Sequence, residues 1–223
     1  HAGEHFYEYS QRFLELEEKM KMEINSCNTY SKIINIGCVN CIYNCHLKPH
    51  ISQLMNKHTN ICLNVILDHS RHLLNRLHDN SIDVCFSYLA TNEISYKCIP
   101  YKTDEIIFVT NSQNIQFSNG IHNGEILHLP IIYSKFMPKS GFDWIHDIFP
   151  PHYVFQFTIS VIKEIIPFLL QYPYYAFLPR KLIEKELKDG LLIEIPLLDY
   201  HIPPLQSYII MKSNAKYNPL DYF

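Results

Sequence analysis

A two-lobed α/β fold is the architecture this sequence predicts, and three observations carry the prediction. Strand-length apolar runs at 33–37, 61–67 and 82–88 alternate with helically spaced apolar residues, Leu47, Ile51, Leu54 and Met55 in the first gap and Leu73, Leu74 and Leu77 in the second. Strand, helix, strand, helix, strand is the pattern of a parallel sheet wound by right-handed crossovers. Beyond the polar, glycine-punctuated stretch 111–123, a fresh set of short strands and helices begins, enough for a second lobe. Ahead of both, an apolar stripe at helical spacing marks a separate amino-terminal helix.

Composition narrows the function before any motif is considered. The chain has 223 residues, 47% of them hydrophobic, with 16 Tyr and 13 Phe to fill a core. Its net charge of −3 offers no basic field for nucleic acid. No apolar run approaches the roughly 20 residues that cross a bilayer, and no export signal is visible, so no membrane partner and a cytoplasmic location are expected. Seven cysteines at irregular spacing, in a chain too large to need disulfide staples, fit reduced thiols in the cytosol. The chain opens at His1 rather than methionine and is expected to be a piece of something longer.

In the first helix Phe6, Tyr9, Phe13, Leu16, Met20 and Ile24 recur at steps of three or four residues, with charged side chains on the other faces. A lone helix of this length is marginal in water, so the stripe needs a partner. That partner is either its own domain or, as the role expected of Phe6, Tyr9, Phe13, Leu16 and Met20, a second copy of the chain. Residues 1–31 are read as this helix and its linker, residues 32–110 with 205–223 as the first lobe, and 111–204 as the second. The chain is expected to cross between lobes at 109–111 and to return at 204–207. Further strands are predicted at 96–101, 105–110, 131–133, 153–157, 174–178, 191–195 and 207–211. Helices are predicted at 142–149, at 160–171 with Ser160 as a cap and a bend at Pro167, and at 180–188, closed by Gly190.

Several of these segments together resemble a known family. His1-Ala2-Gly3-Glu4, followed by Phe6, Tyr9, Leu14 and Leu16, looks like the linker helix of LysR-type transcriptional regulators. Ile34-Asn35-Ile36-Gly37 resembles their first effector-domain strand, and Leu73-Leu74 through Leu77 to Asn80-Ser81-Ile82-Asp83-Val84 their leucine-to-aspartate segment. Phe177-Leu178-Pro179 with Glu186-Leu187, Gly190 and Leu191 resembles their late proline-to-glycine segment. The sequence departs at Asn80, where the family has glycine, and at Gln171-Tyr172-Pro173, where it has a glycine-rich turn. The resemblance implies two Rossmann-like lobes of the type 2 periplasmic-binding-protein kind, joined by crossover strands, with a small-molecule effector in the cleft between them. It also implies a dimerising linker helix, homodimers or tetramers, and DNA contact only through an amino-terminal helix-turn-helix outside these residues. RNA polymerase is a candidate further partner.

Ligands of such sheets sit beyond the carboxyl ends of the strands, where helix amino-termini offer free N–H groups. The effector-binding residues expected here are Val39, Asn40 and Cys41, Ser70, Tyr88, Ser134, Lys135 and Phe136, and Thr158, Ile159 and Ser160. Ser70 and Ser160 serve equally well as plain helix caps, Lys135 as a surface lysine, and Asp83 as a structural hydrogen-bonding group. Cys38, Cys41, Cys45, His46 and His50 form the one unusual constellation. Packing cysteines beside exposed histidines are the expectation, with no metal ligand set; a soft-metal or thiol sensor is the alternative. No cofactor is expected, and no G-x-S-x-G, GK[ST] or H-E-x-x-H motif points to an enzyme. A transport solute-binding protein shares the two-lobe plan and remains the second alternative.

Overall fold

The computed structural model describes residues 2–26, 30–134 and 144–215. Helix α1 (Ala2–Ser26) stands ahead of β1 (Lys32–Cys38). The chain then turns straight into α2 (Asn40–Ile42), a π-helical turn at Tyr43–Leu47 and α3 (Lys48–Lys57). β2 (Ile61–Leu67), α4 (Ser70–His78), β3 (Val84–Ser87) and β4 (Tyr96–Asp104) follow, and after Glu105 comes β5 (Ile106–Asn111). Next are α5 (Asn123–Ile126), β6 (Ile132–Ser134), α6 (Trp144–Ile148), β7 (Phe157–Ile159), a 3-10 turn at Ile162–Glu164 and α7 (Ile165–Gln171). The chain closes with β8 (Tyr175–Pro179), a 3-10 turn at Arg180–Ile183, α8 (Glu184–Lys188), β9 (Leu192–Glu194) and β10 (Leu205–Lys212).

The first sheet has the order β2-β1-β3-β10-β4, with β1 parallel to β2 and β3, and β10 antiparallel to β3 and β4. The second repeats this plan. β6 pairs parallel with β7, a parallel bridge between Ile131 and Tyr175 joins that pair to β8, and β8 continues antiparallel through β5 to β9. The passage between sheets occurs at Glu105, because Asp104 still pairs with Leu205 whereas Ile106 pairs with Pro179. The sheet pairing therefore corrects the expected crossing at 109–111: Val109 and Thr110 already belong to the second sheet.

Both faces of β1 are covered, which explains its run of fully buried residues from Ile34 to Cys38. A polar Asn35 is tolerated there because Asp83 Oδ2 accepts from its backbone N–H at 2.7 Å and from its side chain at 3.0 Å, while Asn64 donates to its Oδ1 at 2.9 Å. Asp83 is thus a structural group. Gly37 allows close packing: a Cβ there would meet Leu73 Cδ2 at 2.9 Å and the Ile82 side chain. Asn80 adopts φ 59°, the left-handed conformation for which asparagine substitutes tolerably for glycine.

Three elements differ from the sequence expectation. The helix after β1 begins at Asn40, directly off the strand and well ahead of Leu47, the first of the apolar residues that predict it. The aromatic run 153–157 does not form a strand until Phe157. Tyr153 N–H closes a turn onto Pro150 O, His152 takes φ 66°, and the Tyr153 and Phe155 rings pack on Phe149 at 4.9 Å each, so side-chain packing takes the place of strand pairing. The bend expected at Pro167 is a change of helix type at Ile165, which leaves Pro167 in the first α-turn, where its missing N–H costs nothing. Of the helix predicted at 142–149, Trp144–Ile148 is observed and residues 142–143 lie outside the described residues.

Helix α1 leaves the described part of its stripe uncovered by the rest of the described chain. Phe6, Tyr9, Phe13 and Met20 are each more than half exposed, and Leu16 is 38% exposed. An Arg12–Asp79 ion pair at 3.5 Å reaches the end of α4.

Candidate functional site

Three parallel strands, β1, β2 and β3, end side by side, and their loops are stitched together. Asp68 N–H donates to Cys38 O at 3.2 Å, and Val39 N–H to Phe86 O at 3.1 Å. Tyr88 N–H donates to Ser70 Oγ at 3.3 Å. Ser70 is therefore the first helical residue of α4 and an acceptor for the neighbouring loop, not the cap of its own helix; His69 holds the cap position. Val39, Cys41, Ser70 and Tyr88 are all buried here, with Asn40 half-buried.

Beneath these loops lies a compact group of polar side chains. Cys41 Sγ and Cys45 Sγ are 3.9 Å apart, one π-helical turn from each other. The Tyr88 hydroxyl lies against the Cys41 thiol yet has no partner at hydrogen-bond geometry among the described residues. Burial first, and the Cys41 thiol second, hold this phenol well above its ordinary pKa, so it stays protonated. The neighbouring Cys41 thiol, then burial, raises Cys45; burial, then Cys85, raises Cys38. Cys38 and Cys45 are thus protonated packing groups at neutral pH. Asp104, only 2% exposed at the end of β4, accepts from or shares a proton with His46 Nε2 at 2.8 Å through Oδ1, and its Oδ2 has no partner among the described residues. Above Asp104, Tyr101 packs edge-on against both Phe86 and His46, and burial pushes its phenol up to about 12.

The second lobe meets this group directly. α2 packs on the 3-10 turn Ile162–Glu164, and the π-helical turn packs on Arg180–Ile183. β6 and β7 end beside each other here, with Tyr133 opposite Thr158 and Ser134 opposite Ile159. Ser134 is buried and its Oγ has no partner among the described residues, Ile159 is half-buried, and Thr158 and Ser160 are exposed. Ser160 caps nothing: Val161 precedes the 3-10 turn, and no side chain caps it. Lys135 and Phe136 lie outside the described residues.

A family model described as the LysR substrate binding domain matches residues 28–220. The chain belongs to this family. No curated protein matches it significantly in sequence. Among solved structures it is similar to a cysteine-to-serine mutant of Corynebacterium glutamicum OxyR bound to H2O2, with TM-score 0.61 and 18% identity, covering 96% of this chain and 70% of that one. The BenM effector binding domain with its effector benzoate gives TM-score 0.61 and 17% identity over 86% of this chain and 89% of that one. The regulatory domain of CrgA, a LysR-type transcriptional regulator from Neisseria meningitidis, gives TM-score 0.68 and 11% identity over 84% and 92%. At these identities the likeness establishes the fold.

Within this LysR substrate-binding domain, sequence reasoning missed Asp104. An acidic pair, Asp104-Glu105, between two strand-length runs was its signal, and Asp104 is the buried member of the pair. His46 was noticed only as a member of the cysteine constellation. That constellation does not converge as a ligand set: among the described residues no group of three or more His, Cys, Asp or Glu is placed to hold a metal. A concavity of about 540 Å³ opens on the second lobe away from this group, lined by Phe117, Leu129, Pro130 and Tyr175 together with Glu125 and His128. Among the described residues no helix is long and apolar enough to cross a membrane.

Proposed function

We propose that this chain is the effector-sensing and oligomerising part of a LysR-type transcriptional regulator. A small molecule seated where the ends of β1 and β3 face the 3-10 turns of the second lobe would set lobe closure. Closure would in turn set how the assembled protein occupies DNA through a separate amino-terminal segment, with RNA polymerase as a further contact. Such coupling requires different affinity for the ligand in the two closure states. The observation that carries the reading is the match of the family model across residues 28–220. The meeting of α2 with Ile162–Glu164 supports it, because that contact brings Val39, Asn40 and Cys41 close to the segment that follows Ser160. On this reading residues 32–104 with 205–215 form one lobe, 106–202 form the other, and the domain binds rather than catalyses.

The uncovered stripe of α1 fits a second copy of itself. Phe6, Tyr9, Phe13, Leu16 and Met20 recur at coiled-coil spacing and are exposed in the single chain. Native mass spectrometry tests both halves of the reading. The expected result is a dimer or tetramer that carries a small organic mass or acquires one from a metabolite extract. A monomer that binds nothing overturns it, and a ligand-carrying monomer would favour the transport alternative, which the family match does not.

A further inference from the structure

Two buried polar atoms in the cleft region have no partner among the described residues: Asp104 Oδ2 and Tyr88 Oη. Asp104 is 2% exposed and Tyr88 5%, and the two lie within electrostatic reach of each other, with the Cys41 and Cys45 thiols in the same group. Buried polar atoms are nearly always hydrogen-bonded, and an unpaired carboxylate oxygen is among the costliest to leave bare. The other carboxylate oxygen is engaged by His46. The nearby cation, Lys181, acts on Asp104 and Cys45 from outside, but it is exposed and donates to Glu184. The site therefore presents a buried carboxylate with one unengaged acceptor oxygen among the described residues, a phenol held neutral that both donates and accepts, and two thiols.

A carboxylate or phosphate ligand would be repelled by such a group; a cation with several N–H donors complements it. Resting on the cleft reading above, we propose that the effector carries a protonated primary amine, which donates to Asp104 Oδ2 and Tyr88 Oη. His46, whose side chain is 12% exposed, marks the side from which the amine enters. The remainder of the ligand would extend toward Ser134, whose buried hydroxyl also lacks a partner among the described residues. This reverses the anion preference that helix amino-termini alone suggest.

Three probes of one skeleton test the idea: n-butylammonium, butyrate and butanol, each titrated into the chain and followed by backbone amide NMR. The ammonium is expected to shift the signals of Cys41, Tyr88 and Asp104 saturably, and butyrate is expected not to. Asp104→Asn keeps an acceptor for His46 while removing the charge, and should weaken ammonium binding by about tenfold or more, the scale of a hydrogen bond to a charged group. Tyr88→Phe removes only the hydroxyl and should weaken it by a smaller factor, which secures the test should Asp104→Asn not fold. Saturable shifts by butyrate at these residues would overturn the amine preference while leaving the cleft as the binding site. Ammonium affinity unchanged in both variants, or no shift there by any probe, would overturn the proposal.

Discussion

His46 Nε2 lies 2.8 Å from Asp104 Oδ1, joining a π-helical turn to the last residue of β4, one residue before the chain passes to the second lobe. The pair links the wall of the cleft to the crossover, and it is lopsided, because the second carboxylate oxygen has no partner among the described residues.

The asymmetry predicts which half of the pair is harder to lose. His46→Ala leaves a buried carboxylate wholly unpaired and should cost about 3 kcal/mol, in the range for breaking a buried pair. Asp104→Ala also removes the bare Oδ2 and leaves only a partly exposed imidazole, so about 1–2 kcal/mol is expected. Urea denaturation of both variants checks the order.

Gly37 should be nearly irreplaceable. A methyl group there meets Leu73 and Ile82, which are 0% and 2% exposed and have little room to retreat. Gly37→Ala is expected to destabilise the chain by about 1–3 kcal/mol through overpacking, read from the shift in denaturation midpoint at unchanged slope.

The cysteines should label in order of exposure. Cys38, Cys41, Cys45 and Cys85 are buried, and Cys62 and Cys98 half-buried. Among these six described cysteines, Cys62 and Cys98 should react first with a thiol-specific reagent under native conditions. The other four should wait for unfolding, since burial and their thiol neighbours keep Cys38 and Cys45 protonated and Cys85 is raised by burial. Fast native labelling of Cys41 or Cys45 would revive the thiol-sensor alternative.

Much of the first lobe was legible because each apolar run had strand length and each helix its own spacing; β2 begins and ends where the pattern places it, at Ile61 and Leu67. The second lobe was harder. Tyr153 and Phe155 have strand-like composition, but a left-handed His152 and packing on Phe149 outweigh it. Helix α5 was hidden in a polar turn, because its start depends on a capping box between His122 and Glu125 rather than on an apolar face. The strand ends around Cys41, Ser70 and Tyr88 could be placed from the order of elements alone. Asp104 could not, because its burial and its pairing with His46 arise only where distant parts of the chain meet.

That capping box also carries a pH signature. His122 Nδ1 lies 2.9 Å from Asp199 Oδ1, and the pair raises His122 above 6.5 and lowers Asp199 below 3.8. A raised histidine stabilises the fold fully below its unfolded pKa and loses that contribution as pH rises through the folded value. The lowered aspartate contributes above its unfolded pKa and loses its share as pH falls through the folded one. The contact should therefore be strongest in mildly acidic solution. NMR titration should place His122 above 6.5 in the wild type and closer to it in Asp199→Asn.

Amide hydrogen exchange, with and without the small molecule that most raises the chain's Tm in a panel of amines, carboxylates and metal ions, tests the location of the effector most directly. The account predicts slowed exchange at Asn40, Cys41 and Tyr88 and across 158–164, on both sides of the lobe boundary. Protection confined to the concavity around Asn114, Phe117 and Tyr175, or no ligand that stabilises the chain at all, would contradict it.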